Sequence, residues 1–327
     1  MQYKSNKGFT GWGQFGMLLL FTGIGMFLGS IVQVVMSLSI IPDGTPFEKM
    51  GDAILIAMKN PENVGLLRWI QFVSTIFMFM LPAVTYSFVT NGKEMIWMGF
   101  SRYISIYQII LGFLIIFTAG LLGGPLQDIS QRMLAHFPSF DALAQRMENL
   151  YNDQIQAMGH LNSTTDFMLA LVIMAFLPAV FEELFFRATM QTLFVKWWKK
   201  PLLAIIVTSL IFSLVHASIY LFFTRALLGF ALGLMYHHTK NIWVNVVAHF
   251  MNNAIATAQL YVLSQKHVKI APENMDMKVD GWMGIIALVV LVFLFNILKK
   301  YSEVNKMRIY TREQSLMAHY ESGHPFA

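Results

Sequence analysis

The sequence predicts an all-α, polytopic membrane protein built as a bundle of about eight transmembrane helices. Of its 327 residues, 56% are hydrophobic and only 13% are charged, about half the charged share of a soluble domain. Mean hydropathy is +0.55, and the apolar residues form runs of about 20, the length that a membrane-spanning helix needs. The chain has no cysteine, which excludes disulfides, thiolate metal sites and a cysteine nucleophile.

Apolar runs of spanning length recur along the whole chain. The first run lacks a small-residue cleavage site, so we expect a retained anchor and not a cleaved signal peptide. The fifth and sixth runs are separated by "HASIYLFFTRALL", which contains almost no polar turn. The eight predicted spans are 13–41, 65–90, 105–125, 167–195, 201–220, 221–239, 241–264 and 281–298.

Basic residues predict the orientation of these spans. Lys and Arg are concentrated at one set of flanks, whereas the opposite flanks are acidic or balanced, and cytoplasmic loops are the ones enriched in Lys and Arg. Both termini are therefore predicted to be cytoplasmic. The net charge of +5 reflects this topology signal, so no nucleic-acid partner is expected. The basic set is Lys4, Lys7, Lys93, Arg102, Lys196, Lys199, Lys200, Lys240, Lys299, Lys300, Lys306, Arg308 and Arg312; the opposite loops carry Asp43, Glu48, Asp52, Glu62, Asp128, Asp141, Glu148, Asp153 and Asp166.

Two glutamates and an arginine lie inside the fourth predicted span, in the stretch "FEELFFR". A charge at the centre of a membrane helix costs about 2.5–3.5 kcal/mol on insertion scales, so these side chains need partners or a function. Glu183 and Arg187 have the four-residue spacing of a helical ion pair, whereas Glu182 points about 100° away from Glu183. We expect Arg187 to neutralise Glu183 while Glu182 stays available for chemistry.

Polar residues on the fifth and seventh spans lie at a similar depth to Glu182. Measured from the basic ends of their helices, Glu182, His216 and Asn253 are about 20–22 Å into the membrane, and His249 is about 13 Å in. A carboxylate and a histidine suit the activation of water, and a histidine and an asparagine one turn apart can donate hydrogen bonds to an oxyanion. The set predicts hydrolysis of an acyl bond in a cavity that we expect to open to the cytoplasm.

Several polar or small residues in these spans also have structural explanations. A lone intramembrane histidine often only satisfies a hydrogen bond between helices, and we interpret Asn245 and Asn252 as packing residues. Gly229 and Gly233 form a GxxxG motif on the sixth span, which predicts close helix packing.

Three motifs in these spans resemble those of a known family. "EELFFR", which begins at Glu182, matches EExxxR; "FSLVH", which ends at His216, matches FxxxH; and "HFMNN", which begins at His249, matches HxxxN. Together they resemble the type II CAAX prenyl endopeptidase family, also called the CPBP or Abi family of intramembrane proteases and bacteriocin-processing proteins. The resemblance covers about residues 165–260.

The resemblance implies a fold, a reaction and a set of roles. The resemblance implies the fold of the family, a bundle of eight helices. It also implies an intramembrane endopeptidase that cleaves a hydrophobic or prenylated peptide or protein within the lipid bilayer. The implied roles are water activation by Glu182 and His216, oxyanion stabilisation by His249 and Asn253, and support of the site by Glu183 and Arg187.

This mechanism requires no cofactor, and the sequence lacks the HExxH motif of zincins. The alternative is a divalent metal such as zinc held by Glu182, His216 and His249, since Glu and His are zinc ligands. Two further functions stay open. One is a proton-coupled transporter, which also uses intramembrane Glu, His and Asn, and the other is a non-catalytic bacteriocin-immunity or scaffold protein.

The expected location is a bacterial inner membrane, because the chain shows no targeting signal and resembles the Abi group. We expect five regions. These are the N-terminal transmembrane helices (1–130), an outer amphipathic loop whose helix lies on the outer membrane face (131–166), a catalytic core (167–264), a last loop and transmembrane helix (265–300), and a loosely ordered cytoplasmic tail (301–327).

Overall fold

The computed structural model of the chain describes residues 3–58, 60–159, 161–266, 268, 279 and 281–321. These residues are mostly helical, and among them the only β-structure is one isolated bridge between Lys4 and Thr10. Short 3-10 turns lie at Phe47–Lys49, Pro61–Asn63 and Met95–Met98. The helices are α1 (Gly11–Leu38), α2 (Met50–Met58), α3 (Val64–Thr90), α4 (Ile106–Gly120), α5 (Gly123–Leu134), α6 (Pro138–Met158), α7 (Thr164–Trp198), α8 (Pro201–Val215), α9 (Phe222–Thr239), α10 (Ile242–Gln265) and α11 (Gly281–Glu321).

Five helical segments in the described part of the chain are long and apolar enough to cross a membrane. They are α1, α3, the segment Ile106–Leu134 that contains α4 and α5, α7 and α11. Helices α8, α9 and α10 occupy the places of the predicted fifth, sixth and seventh spans, and α8 has only 15 residues. The all-α, polytopic membrane class is confirmed, whereas the count of eight spans stays a prediction.

One end of the bundle, which we call the basic end, carries Lys7, Lys196, Lys199, Lys200 and Lys240. Hydrogen bonds join the chain segments that meet there. The Lys7 Nζ donates to the carbonyl of Phe88 at 2.8 Å, and the Asn241 amide donates to the carbonyl of Ser101 at 2.9 Å. The Gln108 amide donates to the Ser302 hydroxyl at 3.0 Å. The N-terminal segment, the α3–α4 and α9–α10 connections and α11 therefore meet at one end.

The opposite end, which we call the acidic end, joins α3, α6 and α7 with the α8–α9 and α10 ends. Arg68 pairs with Asp166 at 3.3 Å, and the Gln265 amide donates to the carbonyl of Leu161 at 2.8 Å. The Ser218 hydroxyl donates to a Glu148 carboxylate oxygen at 2.8 Å. Helix α6 is thereby fixed across the end of α8.

The last helix is longer than the sequence predicts. Helix α11 extends from Gly281 to Glu321, so the expectation of a loosely ordered tail is wrong for residues 301–321; residues 322–327 lie outside the described part. The tail is ordered because it packs at the basic end. The Asn305 amide donates to Gln108 at 3.0 Å, and the Lys240 ammonium lies 5.3 Å from the centroid of the Tyr310 ring.

Aromatic packing holds α7 in the centre of the bundle. The ring of Phe186 is fully buried, and its centroid lies 5.5 Å from that of Phe79 on α3 and 5.1 Å from that of Phe212 on α8. In a membrane, lipid tails are as apolar as these rings, so close van der Waals packing, and not burial from water, stabilises the contact. This packing fixes the neighbouring residues Glu182 and Glu183.

Candidate active site

Two π-helical stretches flank the acidic pair of α7. The segment Leu177–Glu183 is α-helical and begins next to Pro178, and it lies between π-helical Leu171–Phe176 and Leu184–Gln191. π-Helical turns are rare and occur frequently at functional sites. Both glutamates are buried, although adjacent residues of a helix point in different directions. Each carboxylate therefore meets a different set of partners.

The Glu183 carboxylate is completely enclosed and fully partnered. One oxygen lies 3.0 Å from Arg187 Nη1, without the alignment of a hydrogen bond, and 3.0 Å from His249 Nδ1. The other accepts a hydrogen bond from the Asn245 amide at 3.0 Å. A buried carboxylate is tolerated only when its oxygens are paired in this way. The predicted pairing of Glu183 with Arg187 is confirmed, and Glu183 also fixes the ring of His249.

The Glu182 carboxylate is also buried, but one of its oxygens has no hydrogen-bond partner. That oxygen, Oε2, lies 3.8 Å from His216 Nε2 and 3.8 Å from His249 Nε2. A separation of 3.8 Å is too long for a direct hydrogen bond, and a polar gap of this size suits a bridging water molecule. The three groups thus surround a point at which one small polar molecule would contact them all.

His216 presents a fixed ring nitrogen to this point. Its Nδ1 lies 2.6 Å from the carbonyl oxygen of Phe212, and because a carbonyl only accepts, Nδ1 must carry the proton. In the neutral ring, Nε2 is then an unprotonated acceptor that faces Glu182. Helix α8 ends at the preceding residue, Val215, and His216 is its C-cap; the following Ala217 has a left-handed backbone with φ of 52°. The Arg225 guanidinium donates to the His216 carbonyl at 2.8 Å.

His249 differs from His216 in the group behind its ring. Its Nδ1 contacts the carboxylate of Glu183, where His216 contacts an uncharged carbonyl. Because a carboxylate only accepts, this Nδ1 carries the proton that bonds to Glu183. The Nε2 atoms of both histidines lie 3.8 Å from the same Glu182 oxygen, and an imidazole nitrogen can accept a hydrogen bond in the neutral ring or donate one in the protonated ring.

Asn253 lies one turn beyond His249 and lines the same cavity of about 380 Å³ as Glu182, His216 and His249. Its side-chain oxygen accepts a hydrogen bond from Asn252 at 3.3 Å, which leaves its own amide N–H groups as donors for a ligand. The structure therefore brings Glu182 into the immediate neighbourhood of both histidines, and it places Asn253 on the wall of the same cavity.

Helix α9 contributes backbone acceptors that the sequence did not indicate. The Arg187 Nη2 donates to the Gly229 carbonyl at 3.2 Å, and the Gln191 amide donates to the Gly233 carbonyl at 2.9 Å. A side chain on Gly233 would meet Ile205 at 2.7 Å and Gln191 at 2.9 Å. The GxxxG motif thus packs α9 closely, as expected, and it also brings two carbonyl groups within reach of α7.

Helix α6 forms part of the cavity wall at the acidic end. Its residues Glu148, Tyr151 and Gln154 line the cavity. Leu143 and Leu150 of the same helix are exposed, as expected for a helix at a membrane surface. The amphipathic pattern identified the helix, but it did not indicate that Glu148 and Gln154 would line the site.

This placement makes two of the sequence-based expectations incompatible. The cavity lies under α6 at the acidic end, and the basic residues lie at the other end of the same helices. A cavity open to the cytoplasm and a cytoplasmic basic end cannot both be right.

Metal binding has little geometric support in the part of the chain that the structure describes, where no three His, Cys, Asp or Glu side chains are arranged to hold a metal ion. Zinc ligands bound at about 2.0–2.1 Å lie about 3.3 Å apart in a tetrahedral site. The separations of 3.8 Å between Glu182 and the two histidines exceed this distance. No step of the mechanism below is therefore assigned to a metal.

The segment that contains the candidate site is similar to known proteins. Residues 164–255 match the family described as type II CAAX prenyl endopeptidase Rce1-like. An uncharacterized protein of Bacillus subtilis (strain 168), YpbD, is 32% identical over 104 residues, which are 30% of this chain and 50% of the relative. The match thus spans about half the length of that relative. No solved structure matches the chain. The resemblance carried by the three motifs is confirmed, and residues 164–255 form a type II CAAX prenyl endopeptidase-like region.

Proposed function

We propose that the protein is an intramembrane endopeptidase that hydrolyses a peptide bond of a hydrophobic or lipidated substrate with a water molecule activated by Glu182 and His216. One observation carries the proposal. A buried carboxylate oxygen without a hydrogen-bond partner lies 3.8 Å from each of two imidazole nitrogens. Leaving such an oxygen unpaired is costly in an apolar environment, which favours a polar ligand as its natural partner.

In the proposed reaction, water donates hydrogen bonds to Glu182 and to the Nε2 of His216. As the water oxygen attacks the carbonyl carbon of the substrate, His216 or Glu182 takes one proton from the water. The oxyanion accepts hydrogen bonds from the Nε2–H of His249 and from the amide of Asn253. The C–N bond then breaks, that proton moves to the leaving nitrogen, and the products are a carboxylic acid and an amine.

Glu183, Arg187 and Asn245 act through His249 in this scheme. The Glu183 carboxylate holds Nδ1–H of His249, so that Nε2 points to the cavity. Arg187 and Asn245 in turn fix Glu183. These contacts support positioning roles and not direct participation in the reaction.

The test is cleavage of a quenched fluorescent peptide library, including farnesylated CAAX peptides, by protein purified in detergent. Glu182→Gln and His216→Ala are compared with His237→Ala, a histidine substitution at the basic end that serves as the matched control. We expect the first two variants to lose cleavage, the control to keep it, and a chelator to have no effect. Size-exclusion profiles and melting curves establish that each variant is folded.

Other outcomes separate the alternatives. Loss of cleavage with a chelator and recovery with zinc would replace the metal-free mechanism by a metalloprotease. Flux coupled to a pH gradient, without cleavage of any peptide, would favour the transporter. Full cellular function of Glu182→Gln would favour a non-catalytic immunity or scaffold role.

A further inference from the structure

The position of the cavity along the bundle determines which side of the membrane can supply a substrate. Three α6 residues, Glu148, Tyr151 and Gln154, line the cavity together with Gln71 near the outer part of α3. Helix α6 is fixed there by Ser218, through Glu148, and by Tyr220, whose hydroxyl donates to Asp141 at 2.6 Å. The cavity is therefore built from the acidic end of the bundle.

The depth of Glu182 agrees with this position. It lies 14 residues before Lys196, or about 21 Å from the basic end of α7. The hydrocarbon core of a bilayer is about 30 Å thick, which leaves about 9 Å to the acidic end. His216 lies one residue beyond the last residue of α8 at that same end. Both groups are closer to the acidic surface than to the basic one.

The basic end is the cytoplasmic end by the enrichment of Lys and Arg. Tyr3, near one terminus, and Glu313, near the other, line the same small cavity as Lys196 and Lys240. Both described terminal segments therefore lie at the basic end, so one orientation signal applies to the whole bundle.

We infer that the active-site cavity opens on the extracytoplasmic side of the membrane, and that its substrate is the extracytoplasmic part of a membrane-anchored peptide or protein. The side of the membrane on which the cavity opens is inferred from the cavity position and the charge distribution alone. That the cavity binds a substrate rests on the proposed function. A cytoplasmic C-terminal tail would have no access to a cavity at this end.

The charge of the cavity wall narrows the substrate class. Among the described residues that line it, Glu148 and Glu182 are the carboxylates, several others carry amides, and none is Lys or Arg. Arg225, at the same end, is held by the His216 carbonyl and by the Tyr151 ring, 4.8 Å from its centroid. Like charges repel, so the wall favours an uncharged or basic segment cleaved internally over a free C-terminal carboxylate beside the scissile bond.

Labelling with a membrane-impermeant maleimide tests the sidedness directly, because the natural chain has no cysteine. Gln154→Cys places a thiol on the exposed part of the cavity wall, and Gln314→Cys places one on an exposed position at the basic end. Neither substitution alters a charge that sets the topology. In intact spheroplasts we expect at least tenfold faster labelling of Gln154→Cys than of Gln314→Cys, and equal labelling after permeabilisation. The reverse order would overturn the inference.

A second experiment links sidedness to cleavage. Proteoliposomes containing Gln154→Cys are given a lysine-flanked or a glutamate-flanked membrane-anchored peptide on the outside, before and after treatment with the impermeant maleimide. We expect preferential cleavage of the lysine-flanked peptide, a tenfold or greater loss after treatment, and no loss for treated Gln314→Cys. Cleavage that persists after complete Gln154→Cys labelling, or that prefers the glutamate-flanked peptide, would contradict the inferred substrate class.

The two inferences fail in distinguishable ways. If the labelling order is as expected but no peptide is cleaved in any orientation, the proposed peptidase function fails while the sidedness stands. If the labelling order is reversed and cleavage occurs, the function stands and the sidedness fails.

Discussion

The two ends of the bundle contain similar kinds of polar residue, but these residues enclose cavities of very different size. At the basic end, the cavity between Tyr3, Asn91, Lys196 and Lys240 measures only about 20 Å³, and side-chain amides such as that of Asn241 are bonded to backbone carbonyls. At the acidic end, the cavity reaches about 380 Å³, and an oxygen of Glu182 has no partner. The polar groups around Tyr3 and Lys240 therefore enclose little space, whereas those around Glu182 leave room for a reactant.

Substitution of Glu182 should give the largest effect on activity and no loss of stability. Glu182→Gln removes the acceptor for the proton of water, and general acid–base groups contribute about 10²–10⁴-fold. We expect cleavage to fall by about 10³-fold while the melting temperature in detergent stays equal or rises, since a buried carboxylate with an oxygen that lacks a hydrogen-bond partner has been removed. A lower melting temperature with intact cleavage would contradict the contrast between the two ends.

Substitution of Glu183 should instead act on stability. Glu183→Gln leaves the buried Arg187 without its carboxylate, and breaking a buried ion pair costs about 3–5 kcal/mol. The double variant Glu183→Gln/Arg187→Met should recover part of that loss, because no unpaired charge remains. Denaturant unfolding in detergent measures both. If the double variant is less stable than either single variant, the pairing does not explain the role of Glu183.

A methyl group at Gly233 should disturb the packing between α8 and α9. The added carbon would meet Ile205 at 2.7 Å and the Gln191 side chain at 2.9 Å, and overpacking costs about 1–3 kcal/mol. Gly23→Ala is the matched control, since nothing lies within 4 Å of a carbon added there and alanine favours a helix over glycine. We expect Gly233→Ala to lower the melting temperature and Gly23→Ala to leave it unchanged or raise it.

The smallest expected effect concerns Lys240 and the solvation of its charge at the basic end. The Lys240 side chain is half-buried, and desolvation lowers the pKa of its ammonium from 10.5 to about 8, so below pH 8 the folded protein holds a charge that is less well solvated than in the unfolded chain. Between pH 8 and 10.5 the folded protein releases the proton while the unfolded chain keeps it, and stability rises with pH. The Lys240→Gln variant should therefore be more stable than the natural protein at pH 7, and this difference in stability should shrink towards pH 10.

Melting curves of both proteins at a series of pH values measure this difference. A difference that is the same at pH 7 and pH 10 would mean that the lysine is not desolvated at the basic end.

The sequence predicted the membrane class, and that Glu182, His216 and His249 lie close together, more completely than it predicted the contacts around these residues. Composition and apolar runs are sufficient for the class, and regular helical spacing paired Glu183 with Arg187 because the ion pair is local in sequence. The contact of Glu183 with His249 joins residues 66 positions apart, and nothing in either motif specifies it. Which histidine faces a carboxylate and which faces a carbonyl became visible only in the structure.

The sequence-based expectations placed both the opening of the cavity and the basic end of the bundle in the cytoplasm, and the structure shows that one of the two must be wrong. The depth of each polar residue follows from its distance to the basic end of its helix, and this distance also indicates the side on which the cavity lies. The position of α6 beside the cavity depends on the contact of Glu148 with Ser218. That contact joins α6 to the α8–α9 connection, and no shared sequence pattern predicts it. The ordered tail was missed because its composition is polar, although it buries Ile309 and Leu316 and makes polar contacts with Gln108 and Lys240.

The π-helical stretch Leu184–Gln191 has a consequence for how this region can change in length. A π-helical turn accommodates one more residue than an α-helical turn. Deleting one residue within the stretch would therefore let it close into a regular α-helix, with Glu183 and Gln191 at its two ends keeping their present orientations. The same deletion in an α-helical part of α7 would turn the distal part by about 100°, so this stretch is the part of the helix that can lose a residue without turning Gln191 away from Gly233.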